Sequence, residues 1–319
     1  MKKLLTGCLI GAVSLLLGAC GPQPDAAPAP KPKQTLTLGI LPDVDSIPFI
    51  IAEEKGFFQA QGLTVRLLPF KSALERDSAL QSGHLDGAVS DILAAAFAKE
   101  GGIDIKVAAL TSGSYKLVVH KSSAAAAISD LRGKEIGISK NTIIEYVTDK
   151  MLAEAGLDDN SIRKLIIPQM PARLEMLKNG KITAATLPEP LATIAVNNGA
   201  RILNSSDKLG INPGVLLFTA SAANGKKAEI QAMFRAYNQA ADYLSKQPQS
   251  DYINLLIAKG GFPPAVKGAI SLPRYTKAAA PPAGEIDAVT GWLHAKQLIR
   301  QAYSYQDLVD PALTADDQH

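Results

Sequence analysis

Two stretches about a hundred residues apart carry the same unit, and that repetition narrows what this 319-residue chain can fold into. "SALQSGHLDGAVSD" (78 to 91) and "EMLKNGKITAATLPEP" (175 to 190) each read as a helix end, a glycine turn and a short buried strand. Leu80, Gly83 and Ala88 match Leu177, Gly180 and Ala185 in spacing. The glycines stop their helices by allowing positive φ, and the small alanines let strands pack closely. Polar residues follow each copy: Ser90 and Asp91 in the first, Glu189 between two prolines in the second.

The units lie inside two longer alternations of strand and helix. The first runs "TLTLGIL", "IPFIIAEEKGFFQAQG", "LTVRLLPF", "KSALERDSALQSG", "LDGAVS", "DILAAAFAKEGG", "IKVAALT" and "KLVVHK". Pro48 suits a first helical turn and Gly62 a helix stop. The second begins at Asp130 with "EIGIS", "NTIIEYVTDKMLAEAG", "KLIIP", "PARLEMLKNG", "ITAATL", "PLATIAVNNG" and "ARILN". After "GVLLFTAS" the pattern becomes mostly helical. Alternation with short connections predicts parallel sheets covered by helices. The expectation is an α/β protein of two lobes, 34–120 with 215–319 and 121–214. Each lobe is a mainly parallel sheet flanked by helices, and the C-terminal helices pack on the first.

The N-terminus is a separate matter. Lys2 and Lys3 precede an apolar run from Leu4 to Leu17, too short for a stable span and typical of a secretory signal. Leu17-Gly18-Ala19-Cys20 resembles the lipobox of bacterial lipoproteins, which implies cleavage after residue 19 and a lipid on the Cys20 sulfur. Cys8, the other cysteine, lies in the discarded segment, so the exported domain has no thiol free for a disulfide. Residues 20–33, rich in Pro and Ala, form an extended tether that reaches up to about 40 Å. Loss of Lys2 and Lys3 takes the formal charge from +3 to +1, which argues against a nucleic-acid or anionic-lipid binder.

"LTLGILPDVDSIPFIIAEEKGFFQAQGLTVRLLPF" resembles the opening of the solute-binding proteins that serve ABC importers of nitrate, taurine, aliphatic sulfonates and thiamine pyrimidine precursors. It pairs an "IA-x-x-KGFF" helix end with "GL-x-V" in the next strand. "LQSGHLDGAVSD", "DLRGKEIGIS" and "LPEPLATIA" match three further phrases in order, so the likeness runs from residue 35 to about 220. It implies a two-lobed periplasmic-binding-protein fold of type 2 that closes on its ligand by hinge bending. The implied partners are a small-molecule ligand, permease and ATPase subunits, and the membrane through a lipid anchor. A monomer without cofactor, facing the periplasm or exterior, is expected.

Catalysis has little to stand on. His84, His120, His294 and His319 are scattered, with no zinc spacing, P-loop, G-x-S-x-G elbow or dinucleotide motif. Pyrimidine-precursor synthases related to the family carry a cysteine-rich signature, and this chain retains only Cys20. An enzyme of that kind, or a sensory or docking lipoprotein, stands as the alternative.

Ligands of such sheets sit outside the carboxyl ends of the strands, near helix N-termini. The junctions there offer Asp43, Asp45, Ser46, Ser90, Asp91, Ser112, Ser114 and Tyr115 from the first alternation. The second offers Ser139, Asn141, Thr142, Glu145 and Glu189. Ser46, Asp91 and Asn141 also suit plain helix caps, and Asp43 and Asp45 ordinary turns. Carboxylates outnumber the basic candidates Lys71 and Lys140, which favours a ligand with amino or ring N–H groups, such as a thiamine-pyrimidine-precursor-like heterocycle or an amine, over a bare anion. Helix N-termini alone can hold a sulfonate or nitrate, so a sulfonate, taurine or nitrate stays open as the ligand. Phe49, Tyr115 and Tyr146 are candidates to stack on a flat ring. The repetition predicts Asp91 and Glu189 on opposite walls of one cleft.

Overall fold

The computed structural model describes residues 35–315. Cys20, the signal segment, the tether and His319 lie outside them. Two five-stranded sheets form the frame. In chain order the first alternation gives β1 (Leu36–Ile40), α1 (Ile47–Glu54), α2 (Phe57–Ala60), β2 (Val65–Pro69), α3 (Ala73–Gln81), β3 (Gly87–Asp91), α4 (Ile92–Glu100) and β4 (Ile105–Leu110). The second gives β5 (Tyr115–Val119), β6 (Glu135–Ile138), α5 (Ile143–Ala153), β7 (Arg163–Ile166), α6 (Met170–Lys178), β8 (Ala184–Pro188), α7 (Leu191–Asn197), β9 (Arg201–Ser205) and α8 (Ser206–Leu209). The chain ends with β10 (Gly214–Thr219), α9 (Ala220–Gly225), α10 (Lys227–Lys246), α11 (Ile253–Lys259), α12 (Ala283–Ala295) and α13 (Tyr305–Leu308).

The sheets have the same construction. Their orders are β2-β1-β3-β10-β4 and β7-β6-β8-β5-β9. In each, the fourth strand runs antiparallel to both neighbours and the other four point one way. That fourth strand is the first one laid down after the chain crosses between sheets, at 111–114 and again at 206–213. Ala88 pairs with Gly39 and Ala185 with Gly137, so the repeated units occupy equivalent positions. The irregularities in β10 (Leu216/Leu217) and β5 (Leu117/Val118) are equivalent too.

The expected lobe boundaries need correction. "KLVVHK" belongs to β5, in the second sheet, so the chain leaves the first lobe before Tyr115 rather than after His120. Apolar alternation marks a strand but carries no label for the sheet it joins. The helix expected from Ile47 to Gly62 also breaks in two, because Gly56 takes φ +74°. The C-terminal helices do cover the first sheet: α10 lies against α1 and α2, and α12 against α4. Among the described residues no helix is long and apolar enough to cross a membrane.

Candidate functional site

The carboxyl ends of the same-pointing strands of both sheets converge on one cavity. Leu41, Asp43 and Asp45 line it from beyond β1, Val89, Ser90 and Asp91 from β3, and Ser139, Thr142, Ile143 and Ile144 from the β6–α5 junction. Tyr115 opens β5 and Pro188 closes β8 beside them. The cavity between the lobes is small, about 30 Å³, enough for about two waters.

Two further wall residues, Arg76 and Arg173, were not among the sequence candidates. They stand on α3 and α6, the helices of the repeated unit, each one turn before the matched leucine. Both are almost wholly buried, at 3 % and 0 % exposure. A glycine on the neighbouring strand makes room for each stem. A Cβ at Gly39 would stand 3.1 Å from Arg76 Cγ, and one at Gly137 would stand 3.3 Å from Arg173 Cγ. Lys71 and Lys140, the basic candidates from sequence, are exposed and do not line the cavity.

The equivalent arginines have unlike surroundings. Arg76 Nε donates to Asp77 Oδ1 at 2.8 Å and Nη1 to the Val89 carbonyl at 2.9 Å. Its Nη2 is 2.8 Å from Asp77 Oδ1, without hydrogen-bond geometry, and 3.9 Å from Asp91 Oδ2. Arg173 Nη1 donates to the Ile167 carbonyl at 2.8 Å, and its Nε and Nη2 have no partner. With no carboxylate beside it, burial alone pulls the Arg173 guanidinium down to about 10, still charged at neutral pH.

The first-lobe wall is acidic. Asp43 Oδ1 accepts from Ser46 N and Oγ at 3.3 and 3.1 Å. Asp45 Oδ2 accepts from Tyr115 Oη at 3.1 Å, while Asp45 Oδ1 and Thr111 Oγ1 lack well-formed hydrogen bonds. Burial raises both carboxyls, Asp43 further because Asp45 lies beside it. Asp91 caps α4 by accepting from Ala94 N at 2.9 Å, and burial raises it to about 6 despite Arg76. Across the cavity Thr142 caps α5 by accepting from Ile144 N at 3.3 Å, and the Ile143 N–H at the helix start is turned to the Asp91 carboxylate.

Other candidates lie apart from the cavity. Ser46 serves Asp43 from behind. Ser112 lies on the crossover and is half-buried. Asn141, at φ +57°, is exposed, and its N–H donates to Glu145 Oε2 at 2.7 Å. Glu145 is thereby held with Lys164 at 2.9 Å, away from the cleft. Phe49 and Tyr146 are buried against Tyr237 and Trp292. His84 is an exposed turn residue bonded to Ser82.

Glu189 does not face Asp91. Its Oε2 accepts from Thr193 N at 3.0 Å, capping α7, and its carbonyl accepts from Val44 N at 3.2 Å. With Ser114 it borders a different cavity, where Ser114 Oγ donates to Asp207 at 2.8 Å. The register explains this: Pro188, not Glu189, is the position equivalent to Asp91.

Residues 29–258 match the NMT1-like family. The chain belongs to the NMT1-like family. No curated protein sequence matches it. Among solved structures, this NMT1-like chain resembles the alkanesulfonate-binding protein SsuA of Xanthomonas axonopodis pv. citri bound to MOPS, at 22 % identity and TM-score 0.75 over 87 % of this chain and 97 % of that one. The aliphatic sulphonate binding protein SsuA of Escherichia coli gives 17 % identity and TM-score 0.74, over 88 % of this chain and 99 % of that one. The nitrate-binding protein NrtA of Synechocystis PCC 6803 gives 15 % and 0.64, over 78 % and 74 %. These likenesses carry the two-lobed periplasmic-binding-protein fold.

Proposed function

We propose that this protein is the solute-binding lipoprotein of an ABC importer, capturing one small solute by hinge closure and handing it unchanged to a permease. The observation that carries the reading is Arg173: a fully buried guanidinium with two unpartnered nitrogens, lining a cavity between two lobes. A buried charge without a partner is costly, and a solute anion that completes it is held strongly. The solute touches both lobes only when they close, so closure is driven by that difference in affinity. The sulfonate and nitrate binding named for the similar structures fits an anionic group in the solute. Cys20 supplies the lipid anchor and the proline-rich tether the reach.

Protein purified from its own host, analysed by native mass spectrometry, carries one small molecule with an anionic group per chain and returns it unchanged on incubation. Conversion of that molecule sinks the binding reading in favour of an enzyme. Cys20→Ser moves the protein from the membrane to the soluble fraction, and a variant that stays membrane-bound refutes the anchor.

A further inference from the structure

The two walls of the cleft carry opposite charge. The second lobe offers Arg173, with no carboxylate beside the guanidinium, while the Ile143 N–H at the start of α5 is already turned to Asp91. The first lobe offers Asp43, Asp45 and Asp91 at the cavity, and Arg76 is the cation among them. Arg76 is already engaged by Asp77 and approached by Asp91, which leaves the Asp43–Asp45 pair in excess. Their other neighbours, Tyr115, Tyr237 and Tyr275, bring no positive charge. Ser46 and Tyr115 satisfy one oxygen of each carboxylate, and Asp45 Oδ1 has no well-formed partner. Two buried carboxylates side by side need a donor to stay ionised.

We propose that the solute is dipolar, with an anionic group on Arg173 and a protonated amine or amidine on Asp43 and Asp45. This rests on the solute-binding reading and narrows it: a bare alkanesulfonate or nitrate leaves the first-lobe carboxylates unanswered. The small cavity favours a short spacer between the poles. The positive pole lets the carboxylates ionise on closure, and the negative pole completes the lone guanidinium. Each wall selects one end, so orientation in the cleft is fixed.

The test is calorimetry with matched probes: ethanesulfonate against 2-aminoethanesulfonate, propanoate against 3-aminopropanoate, and ethylammonium alone. In at least one pair the aminated member binds tenfold or more tighter than its plain anion, and ethylammonium binds far more weakly. Asp43→Asn, which keeps the acceptor for Ser46, erases that preference. For the sulfonate pair, whose sulfonate stays ionised throughout, the aminated probe gains affinity as rising pH ionises the carboxyls and before the probe's own amine loses its proton. A plain anion held by protonated carboxyls shows the reverse slope. The inference is overturned if the plain anions match their aminated partners, if affinity falls as pH rises, or if no aminated probe binds. A native solute recovered by mass spectrometry that carries an anion and no basic nitrogen also overturns it, leaving the importer reading intact. Absence of any retained solute together with silence across all probes removes the importer reading itself.

Discussion

Arg173 is the residue on which the site turns, and it was readable in the repeat. Extending the match of Leu80 and Leu177 back by one helical turn pairs Arg76 with Arg173. What hid them is that an arginine on an amphipathic helix ordinarily faces solvent. Gly39 and Gly137, which let the two stems lie against their strands, read in sequence only as strand glycines. Arg173→Met keeps much of the volume and removes a buried charge that no carboxylate offsets. The ligand-free protein should melt at the same temperature or a few degrees higher, since apolar replacement of a poorly paired buried charge is often stabilising. Affinity should fall about tenfold to over a hundredfold, the scale of a lost charged hydrogen bond of about 1.5–3 kcal/mol. A large drop in melting temperature with affinity intact would make Arg173 a structural residue. Glu189→Gln gives a contrasting outcome. Its carboxylate caps α7 and borders another cavity, and glutamine keeps an acceptor for Thr193 N, so solute affinity should change less than threefold and stability at pH 7 should not fall.

At the scale of elements, alternation and turn chemistry located nearly every strand and helix, because period and glycine stops are local properties. Assignment of β5 to a sheet was not local, and there the reading failed. Nor was the role of α12 visible. It packs on α4 of the first lobe, yet Trp292 meets Tyr146 of α5 edge-on at 5.5 Å between ring centres. Just beyond its end, Lys296 lies 2.6 Å from Asp149 and 2.5 Å from Asp159, the carboxylates that also hold Lys164. The C-terminal segment is therefore strapped to both lobes. Lys296→Met leaves the partly buried Asp149 and the exposed Asp159 to share Lys164 with Glu145. The expected loss is about 1–2 kcal/mol of stability, read in urea denaturation, and it should shrink at high salt as the leftover repulsion is screened. Equal stability of variant and parent at low salt would show the strap to be an unneeded surface contact.

For the whole molecule, burial of carboxyls between the lobes makes stability depend on pH in an uncommon direction. Asp91 titrates near 6 in the fold, and burial also raises Asp43, Asp45 and Glu189. In the unfolded chain an aspartate loses its proton near 3.9. Between that value and about 6 the native protein binds more protons than the unfolded chain, so the unfolding free energy falls as pH rises. Asp91 alone contributes on the order of 1–3 kcal/mol to this slope, since each tenfold difference in proton affinity between folded and unfolded chain is worth about 1.4 kcal/mol. The ligand-free protein should therefore be more stable at pH 5 than at pH 7, as measured by chemical denaturation. Asp91→Asn keeps an acceptor for Ala94 and should flatten the slope by that amount, mostly by raising stability at pH 7. A saturating dipolar solute should flatten it as well, because its positive pole offsets the ionised carboxylates that neutral pH otherwise leaves facing one another. Stability that instead rises steadily from pH 5 to 7 in the ligand-free protein would mean these carboxylates are ionised and satisfied without a solute, and the acidic wall would then be a structural feature rather than half of a binding site.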